Sequence, residues 1–438
     1  MSDKTPNKDL KVAVIGAGCS GITTIKNLLQ VGLDNIVCFE QNDQIGGNWV
    51  YSPKVTHSSV CETTHIISSK TMSEYLDYPM PAHYPDYPSH SQLLDYFNAY
   101  VKHFNLEPYI RFNTTVERVE KVGAQWMIYT DKGSPETFDY VLVANGHHSV
   151  PRMPELPGNF EGEIMHSHIY KTNLPFKDKS VLVIGMGNSG CDCAVEISRV
   201  AKHVSISQRN AQYIIPKFMM GKPTDVFNKV TEWLPRPILN TVQKLGLKIQ
   251  IGKYEDYDLM PPQHSVVSGH PTINSELLYK IRHGKVHPQK AIKYVEGHTV
   301  HFSDGAKETY DVIIAATGYK IATPFFDTDF LDYSEADRVP LYLRMFHPEH
   351  KSLIFIGLFQ PQGAIWPGSD AQAKLAANYI IGNWQWPENM NSLAEADADE
   401  IDREFLKSKR HTIEVHFKPF MQKLQKAIPN NAPKWPTA

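Results

Sequence analysis

Two glycine-rich stretches carry the strongest chemical signal in the sequence. The first contains Gly16, Gly18 and Gly21 in the spacing GxGxxG, between an apolar run at 12–15 and a helical pattern. Glycines at this spacing let the backbone come close to a pyrophosphate at the N-terminus of the helix. Glu40 ends the next apolar run, and its carboxylate can accept hydrogen bonds from both hydroxyls of an unphosphorylated ribose. The stretch therefore predicts a site for FAD or NAD rather than for NADP.

The second stretch has the same spacing but a different residue after its second apolar run. That run ends in Gln208 and Arg209 instead of an acid. A guanidinium can pair with a 2′-phosphate, which a carboxylate would repel. We therefore predict that this site prefers NADPH, with NADH as an alternative coenzyme. The predicted contacts are Gly185, Gly187, Asn188, Ser189, Gly190 and Arg209.

A further loop distinguishes the first site from the second. The residues GGNW at 46–49 come soon after the acidic residue of the first stretch, and loops of this kind are typical of FAD enzymes. The alternative interpretation is a tight turn before a core tryptophan. One site for FAD and one for NADPH indicate hydride transfer between the two cofactors.

The elements that position these turns follow from the hydrophobic patterns. Each glycine stretch lies between two short apolar runs and opens an amphipathic pattern, so each predicts a strand–helix–strand unit. Two such units predict an α/β fold with two doubly wound Rossmann-like dinucleotide-binding domains. Strands within 138–146 and 310–319 would lead the chain into or out of a nucleotide-binding domain. We predict that an NADPH domain, 171–319, is inserted in an FAD domain made of 1–170 and 320–438.

Two segments outside these units are candidates for the approach of a substrate. Residues 78–90 are rich in Pro and aromatic residues, which prevents a regular helix. Ser89 is predicted to cap the helix that follows. The other candidate segment is 212–270. A charged stretch at 397–410, acidic first and basic last, predicts a solvated helical face.

Composition narrows the set of partners. With 42% hydrophobic residues, 21% charged residues and a net charge of −3, the chain has an ordinary globular composition and no basic excess for nucleic acid. Apolar runs fall short of the roughly 18 residues needed to cross a bilayer, and residues 1–10 lack a signal-peptide pattern. We therefore expect a cytoplasmic protein without a membrane partner.

Other reaction classes lack their characteristic residues. The five cysteines form no CxxC pair, and the side chains of Cys191 and Cys193 would diverge on the second helix. A disulfide reductase is therefore not expected, and reduced thiols are predicted. The histidines at 147–148 and 166–168 do not match a zinc spacing. Because the sequence also has no GxSxG turn, we predict neither a metal nor a catalytic side-chain pair.

A short segment before the second glycine stretch points to a family. Phe160, Gly162, His166 and Tyr170 fill the pattern FxGxxxHxxx(Y/F), and the chain thereby resembles the flavin-containing monooxygenases, a group of class B flavoprotein monooxygenases. The resemblance covers nearly the whole chain, through GAGCSG at 16, GGNW at 46, GMGNSGCD at 185, HPTIN at 270, AATGY at 315 and GLFQPQGAIWPGSDAQAK at 357. We expect the segment to support a domain junction, with Phe160 as core anchor, Gly162 allowing close backbone approach, and the other two side chains hydrogen-bonding across the junction.

The resemblance implies a reaction as well as a fold. NADPH would reduce FAD, NADP+ would stay bound, and oxygen would form a C4a-(hydro)peroxyflavin that oxygenates the nucleophilic nitrogen or sulfur of an amine or sulfide. The protein would supply position, hydrogen bonds and exclusion of water, without catalytic side chains of its own. The chain looks like a soluble, bacterial-type member. The implied FAD contacts are Gly16, Gly18, Ser20, Gly21, Glu40, Gln41, Gly47, Asn48, Trp49, His65, Ser68, Val116 and Gln372.

One position departs from the family pattern. Ile67, three residues before Lys70, stands where relatives similar to the animal enzymes commonly have an asparagine that faces flavin and nicotinamide. His65 is the candidate to replace this amide in part. Otherwise the lifetime of the oxygenating intermediate or the coenzyme preference would differ.

Three other functions stay open at this point. A Baeyer–Villiger monooxygenase would insert oxygen beside a ketone, although Tyr170 disfavours its usual motif. An NADPH oxidase would release hydrogen peroxide, and a nucleotide-binding sensor would catalyse nothing. The natural substrate does not follow from the sequence, and a homodimer is only an expectation.

Overall fold

Parallel hydrogen bonding between apolar strands builds two five-stranded sheets, each in its own compact unit. The computed structural model describes residues 9–231, 233–266, 268–409 and 411–434. The first unit comprises the described parts of 1–50, 70–148 and 320–438. The second unit comprises the described parts of 51–69 and 149–319.

The first unit is built on a five-stranded parallel sheet. Its order is β23 (Leu353–Phe355), β7 (Tyr140–Val143), β1 (Val12–Ile15), β2 (Ile36–Phe39) and β3 (Ile110–Arg111). Every residue of β1, β2 and β23 is buried, because parallel sheets are covered on both faces. The register pairs Val12 with Ile36 and with Tyr140, so the carboxyl ends of the central strands meet at one edge.

Other elements of the first unit cover this sheet or extend from it. Helix α1 packs against α8, and β4, β5 and β6 form an antiparallel sheet. The helices are α1 (Cys19–Gln30), α2 (Lys70–Ser73), α3 (His90–His103), α8 (Trp366–Ile380), α9 (Met390–Glu404) and α10 (Phe417–Ala427), and the remaining strands are β4 (Val116–Val122), β5 (Gln125–Thr130), β6 (Glu136–Phe138), β24 (Gln360–Pro361) and β25 (Glu414–Val415).

The second unit repeats the parallel sheet and adds smaller sheets, of which the four-stranded one is mixed, the pair β13 and β16 is parallel and the pair β14 and β15 is antiparallel. The parallel sheet has the order β10 (Glu163–His166), β21 (Val312–Ala315), β11 (Ser180–Ile184), β12 (His203–Ser207) and β17 (His287–Gln289). A second sheet has the order β20 (Lys307–Thr309), β19 (Thr299–Phe302), β18 (Ile292–Gly297) and β9 (Gly158–Phe160). The other elements are β8 (Val150–Pro151), β13 (Ile214–Ile215), β14 (Phe218–Met219), β15 (Lys222–Pro223), β16 (Thr272–Ile273), α4 (Asn188–Ile197), α5 (Thr224–Asn228), α6 (Arg236–Ile251) and α7 (Leu277–Arg282), and β22 (Tyr319–Lys320) follows at the end of the unit.

The grouping of 149–170 differs from the sequence expectation, which placed these residues at the end of the first part of the FAD domain. In the structure they belong to the second unit. The reason is strand pairing, because Glu163 to His166 of β10 align in parallel with Val312 to Ala315 of β21. Residues 51–69 also group with the second unit.

Local sequence signals are confirmed for the start of α3 and for the loop before it, but only in part for the charged stretch 397–410, because α9 ends at Glu404 and residues 405–409 lie outside the helix. Ser89 caps α3 in a capping box with Gln92, and the Pro-rich segment before it forms no helix. Helix α9 buries Met390 and Ala398 on one side and leaves charged residues such as Asp399 on the other. Arg410, which ended the predicted charged stretch, lies outside the described residues.

The terminal stretches bear on the membrane expectation. Residues 1–8, where a signal peptide would begin, and 435–438 lie outside the described residues. Across the ranges that the structure does describe, no helix is both long enough and apolar enough to span a bilayer.

Candidate functional site

The first glycine turn follows β1 and is shaped by backbone contacts. Gly16 has a φ of +99°, and a Cβ there would lie 2.8 Å from the carbonyl oxygen of Ala144. A Cβ on Gly21 would lie 1.8 Å from the carbonyl oxygen of Gly16, so only glycine allows α1 to start this close to the strand. Gly18 differs, because its Cβ would meet the Cα of Gly47 at an ordinary 3.6 Å. Packing within the protein therefore does not require glycine at this position, and the predicted approach of a pyrophosphate would account for it.

Glu40 follows β2 and is held against the glycine turn. Its side chain is 4% exposed, and one carboxylate oxygen accepts a hydrogen bond from the Ala17 amide at 2.8 Å. The other oxygen accepts from the backbone and side-chain amides of Asn42 at 2.9 and 2.6 Å. A carboxylate accepts about four hydrogen bonds. About one acceptor position therefore remains for a ribose hydroxyl.

The loop at 46–49 packs beside the same turn. The Gly46 amide donates to the carbonyl oxygen of Ala17 at 3.2 Å, and its φ is +116°. Trp49, in a short 3-10 helix, is half-buried, and its ring meets the ring of Trp366 edge to face at 5.8 Å. The partial exposure of Trp49 does not favour the alternative of a turn before a core tryptophan.

Two further predicted FAD residues are tied to the protein by hydrogen bonds. The Ser20 hydroxyl lies 2.9 Å from the hydroxyl of Ser369. Gln372 is fully buried, where its side-chain oxygen accepts from the Gly357 amide and its nitrogen donates to the Leu343 carbonyl oxygen, each at 2.9 Å. Because both ends of this amide are engaged, we expect Gln372 to influence FAD through the backbone that it holds.

A buried ionic cluster beside α1 was missed by sequence reasoning. The Lys26 ammonium contacts a carboxylate oxygen of Asp77 at 2.6 Å and one of Asp370 at 2.8 Å, and all three side chains are at most 1% exposed. Thr23 also donates to Asp370, at 2.5 Å. Burial, together with Asp370, raises the pKa of Asp77. Burial and the nearby Lys26 lower the pKa of Lys374 to about 8.

The other residues expected at FAD are less closely gathered. Gln41 is exposed, Asn48 is half-buried, and Val116 packs against the core of the first unit. His65 and Ser68 belong to the second unit, as does Ile67. The His65 imidazole is exposed, and its Nδ1 lies 2.9 Å from the carbonyl oxygen of Thr63. Their roles toward the cofactor stay predictions.

The second glycine turn follows β11 and has the same backbone geometry. Gly185 has a φ of +103°, and its Cβ would lie 2.6 Å from the carbonyl oxygen of Ala316. A Cβ on Gly190 would lie 2.0 Å from the carbonyl oxygen of Gly185. The side-chain oxygen of Asn188 accepts from the Ile273 amide at 2.7 Å, which ties β16 to the turn. This bond gives the HPTIN sequence, which contains Ile273, a structural role.

Polar and charged side chains follow β12 at the expected place. Gln208 is 3% exposed, and its side-chain nitrogen has no hydrogen-bond partner within the described chain. Arg209 and Ser189 are exposed. The arginine is therefore accessible to a phosphate group, while the glutamine was not among the predicted contacts.

The family segment is partly explained by packing within the second unit. A Cβ on Gly162 would lie 2.5 Å from the Asp311 carbonyl oxygen and 2.6 Å from the Phe160 ring, so the expected close backbone approach is present. Phe160 is half-buried beside a core cluster. His166 is 4% exposed, its Nδ1 accepts from the His168 amide at 3.1 Å, and burial lowers its pKa to about 4.

Tyr170 and two buried thiols lie in the core of the second unit. The Tyr170 ring is 3% exposed and packs against Phe176 at 5.7 Å. Hydrogen bonding of Tyr170 and His166 across a domain junction stays a prediction. Cys191 and Cys193 are free and buried, and burial raises the pKa of both thiols well above the ordinary value. The described residues contain no group of three or more His, Cys, Asp or Glu arranged for a metal ion.

The two turns fit two dinucleotides. At the first, Gly18 leaves space that the protein does not use, and Glu40 is fixed beside it with acceptor capacity remaining. At the second, an equivalent helix start is followed by an exposed guanidinium at Arg209. These features match FAD and NADPH respectively.

Comparison with known proteins gives a consistent result along the chain. Residues 9–436 match the family described as flavin-binding monooxygenase-like. The chain is 37% identical to flavin-containing monooxygenase 5 of Rattus norvegicus, over 94% of this chain and 82% of that protein. It is 34% identical to dimethylaniline monooxygenase (N-oxide-forming) 2 of the same species, with the same two coverages.

A solved structure supports the fold independently of close sequence identity. The S-allyl-L-cysteine S-oxygenase of Allium sativum superposes with a TM-score of 0.73 over 95% of this chain and 88% of that chain. The sequence identity is 24%, so this likeness concerns the fold alone. It confirms the predicted α/β architecture with two dinucleotide-binding domains.

Proposed function

Because this chain belongs to the flavin-binding monooxygenase family, we propose that it oxygenates the nucleophilic nitrogen or sulfur of a small amine or sulfide. The chain is an oxidoreductase of a family that uses FAD, NADPH and molecular oxygen. The observation that carries the proposal is the family match over 9–436, together with 34% identity to a relative named for N-oxide formation.

The residues of the first unit would hold FAD. Amide groups at the start of α1 would face the pyrophosphate, since a helix N-terminus attracts anions. Gly18 would allow that approach, and Glu40 would accept a ribose hydroxyl. Bound FAD would supply the electrons that activate oxygen, by the peroxyflavin route that the resemblance implies.

The residues of the second unit would hold NADPH and keep NADP+ after hydride transfer. The start of α4 would face the pyrophosphate of the coenzyme. Arg209 would pair with the 2′-phosphate in charge-assisted hydrogen bonds. His166 would stay neutral at physiological pH, because its pKa of about 4 lies well below that range. We propose a supporting role for His166 rather than proton transfer.

A coupling experiment tests the reaction class. NADPH consumption, hydrogen peroxide and product are measured for the FAD-loaded chain with N,N-dimethylaniline, methyl phenyl sulfide or cyclohexanone. We expect an N-oxide or S-oxide in near-equal amount to the NADPH consumed, with little peroxide. Lactone from cyclohexanone without N- or S-oxide would instead establish ketone oxygenation. Peroxide equal to NADPH in all three reactions would establish an oxidase, and absence of NADPH oxidation would favour a sensor.

A second experiment tests the route. The reduced, NADP+-bound protein is mixed with oxygen, and absorbance is followed by stopped flow. We expect a transient band distinct from oxidised flavin, and this band should decay faster when the amine or sulfide is added. Immediate appearance of oxidised flavin would count against the proposed route.

A further inference from the structure

A groove in the second unit is lined by residues other than those predicted to bind FAD or NADPH. Three segments that are distant in the sequence, 216–218, 250–257 and 274–283, contribute its walls. Its volume is about 570 Å³, within the roughly 300–1,000 Å³ that is usual for small-molecule sites. We name it the α7 groove and define it by Phe218, Tyr257, Leu278, Tyr279, Arg282 and His283.

Aromatic side chains form much of the wall of the α7 groove. Phe218 of β14 and Tyr279 of α7 are 42% and 58% exposed. The Tyr279 ring stacks on the His283 ring with their centroids 3.9 Å apart. Leu278 adds an apolar side chain that is 8% exposed. Exposed aromatic rings gathered in one concave site favour a planar, largely apolar ligand.

Hydrogen bonds within the second unit fix the charged side of the groove. The Tyr257 hydroxyl donates to the Ile251 carbonyl oxygen at 2.6 Å. The Arg282 guanidinium donates to the Asp256 carbonyl oxygen at 2.6 Å and lies 5.7 Å from the centre of the Tyr257 ring. The ring and the guanidinium are therefore oriented before a ligand binds, which lowers the entropic cost of binding.

The charge that lines the α7 groove is positive. Arg282 is exposed, and the residues that line the groove include no Asp or Glu. A guanidinium has five N–H donors, and the one hydrogen bond of Arg282 to the described chain uses one of them. Asp192 accepts from the side chain of Asn274 at 2.9 Å, and its carboxylate also interacts with the charge of Lys217. The groove therefore offers donors and positive charge to an anionic group.

We propose that the α7 groove binds a planar aromatic carboxylate. The aromatic ring of the ligand would lie against Phe218 and Tyr279, where it would remove exposed apolar surface from water. The carboxylate would pair with Arg282 in charge-assisted hydrogen bonds, for which the planar guanidinium is well suited. The inference goes beyond the proposed oxygenation, because this site is separate from both glycine turns.

Calorimetric titration of the FAD-loaded chain tests the inference without the reaction. The probes are 2-naphthoate and its uncharged counterpart, 2-naphthamide. We expect the acid to bind about 10- to 100-fold more tightly than the amide, the factor that a hydrogen bond to a charged group contributes. Saturating NADP+ should leave this binding unchanged, because the coenzyme is proposed to bind at the second glycine turn.

Variants assign the binding to the α7 groove. Tyr279→Ala should weaken the binding of both probes about ten-fold, because an aromatic contact is lost. Arg282→Gln should remove most of the preference for the acid and change the binding of the amide little. Tyr294→Ala is the matched control, since Tyr294 of the same unit is 38% exposed and stacks on His301 at 4.1 Å. It should leave the binding of both probes unchanged.

Four results would overturn the proposal, with circular dichroism as the check that each variant is folded. The first is no binding of 2-naphthoate at millimolar concentration. The second is equal affinity for the acid and the amide. The third is an equal loss of binding in Tyr279→Ala and Tyr294→Ala. The fourth is displacement of the acid by NADP+, which would assign the binding to the coenzyme site.

The titration also separates this inference from the proposed function. Binding of 2-naphthoate to a FAD-loaded chain that oxygenates neither amine nor sulfide would support the α7 groove and count only against the proposed reaction. Oxygenation by a chain that does not bind the acid would have the opposite meaning.

Discussion

A Cβ on Gly21 would lie 1.8 Å from the carbonyl oxygen of Gly16, and a Cβ on Gly190 would lie 2.0 Å from that of Gly185. The two turns thus use one backbone arrangement in two separate sheets. Their side chains differ at the end of the next strand, where the first has a buried Glu40 and the second an exposed Arg209. The glycines therefore indicate a dinucleotide, and the residue after the second strand indicates which one.

The helices that follow the two turns, α1 and α4, also differ in the residues that they bury. Helix α1 buries the ionic cluster of Lys26 with Asp77 and Asp370. Helix α4 instead buries Cys191, Cys193 and other small apolar residues in the core of the second unit. Helix α1 therefore adds an ionic cluster to apolar packing by residues such as Ile22 and Ile25, while α4 buries two thiols in an apolar core.

The largest expected effect comes from breaking the charged support of α1. Lys26→Met would leave two buried carboxylates without their cation, which costs about 3–5 kcal/mol. The matched change in α4, Cys193→Ala, should cost only about 1 kcal/mol. Thermal release of flavin and hydrogen exchange of α1 and α4 peptides measure both effects. Similar losses in the two variants would contradict the difference between the helices.

The next largest effect is expected at Arg209, the residue predicted to distinguish NADPH from NADH. Arg209→Ala should raise the KM for NADPH about 10- to 100-fold, because a hydrogen bond to a charged group contributes about 1.5–3 kcal/mol. The KM for NADH should change little, since NADH has no 2′-phosphate. Arg209→Lys should retain part of the preference, as a point charge without the planar fork. Equal losses with both coenzymes would reject the role of Arg209.

A smaller effect is expected on FAD binding when Gly18 is replaced, because the fold requires Gly16 and Gly21 whereas Gly18 is predicted to be required only by the ligand. Gly18→Ala should weaken FAD binding by about 1–3 kcal/mol, the usual range for one added methyl group in a close contact. Stability without FAD should be unchanged, because the new Cβ meets its nearest neighbour at 3.6 Å. Flavin titration and thermal unfolding of the FAD-free protein test both parts. Loss of stability without FAD would show that the turn itself needs Gly18.

The smallest expected effect is a loss of stability at acidic pH that is caused by His166, which differs from the buried His147 in its hydrogen bonding. His147 in the first unit lies 3.1 Å from the side-chain oxygen of Gln360, whereas Nε2 of His166 makes no hydrogen bond of standard geometry. The pKa of His166 is lowered to about 4, so the unfolded chain binds its proton first as pH falls from about 6.5 toward 4. The stability of the second unit should therefore fall with acidification through this window.

The predicted size of this loss is about 1 kcal/mol between pH 7.5 and 5.5. His166→Gln should lessen the acid sensitivity, because glutamine does not titrate. Hydrogen exchange of peptides from the second unit at the two pH values measures it. An unchanged pH dependence in His166→Gln would contradict the assigned pKa.

Local patterns in the sequence predicted both glycine turns and the strands around them. The observed β1 spans Val12–Ile15, the apolar run that precedes the first turn, and β12 ends two residues before Arg209. These features depend on neighbouring residues, so a local pattern is enough to find them.

Features that depend on distant partners were not predicted. The ionic cluster joins Lys26 to Asp370 across 344 residues, and no local signal connects them. Residues 163–166 were expected in the first part of the FAD domain, whereas in the structure they form β10 of the second unit and pair with β21, which begins at Val312. The spacing of Ile238, Val242, Leu245 and Ile249 in α6 was visible, but periodicity alone does not tell a buried stripe from an exposed one, and these side chains are 41% to 79% exposed.

The division of the first unit among three sequence segments affects how the protein is made. Strands of the second sheet are complete once β21 has been synthesised, before β23 joins the edge of the first sheet. Helix α1 appears early but must wait for Asp370 and α8. Because domains tend to fold during translation as their elements emerge, the second unit can form on the ribosome first. The nascent chain would then gain its complete flavin-binding half only near the end of synthesis.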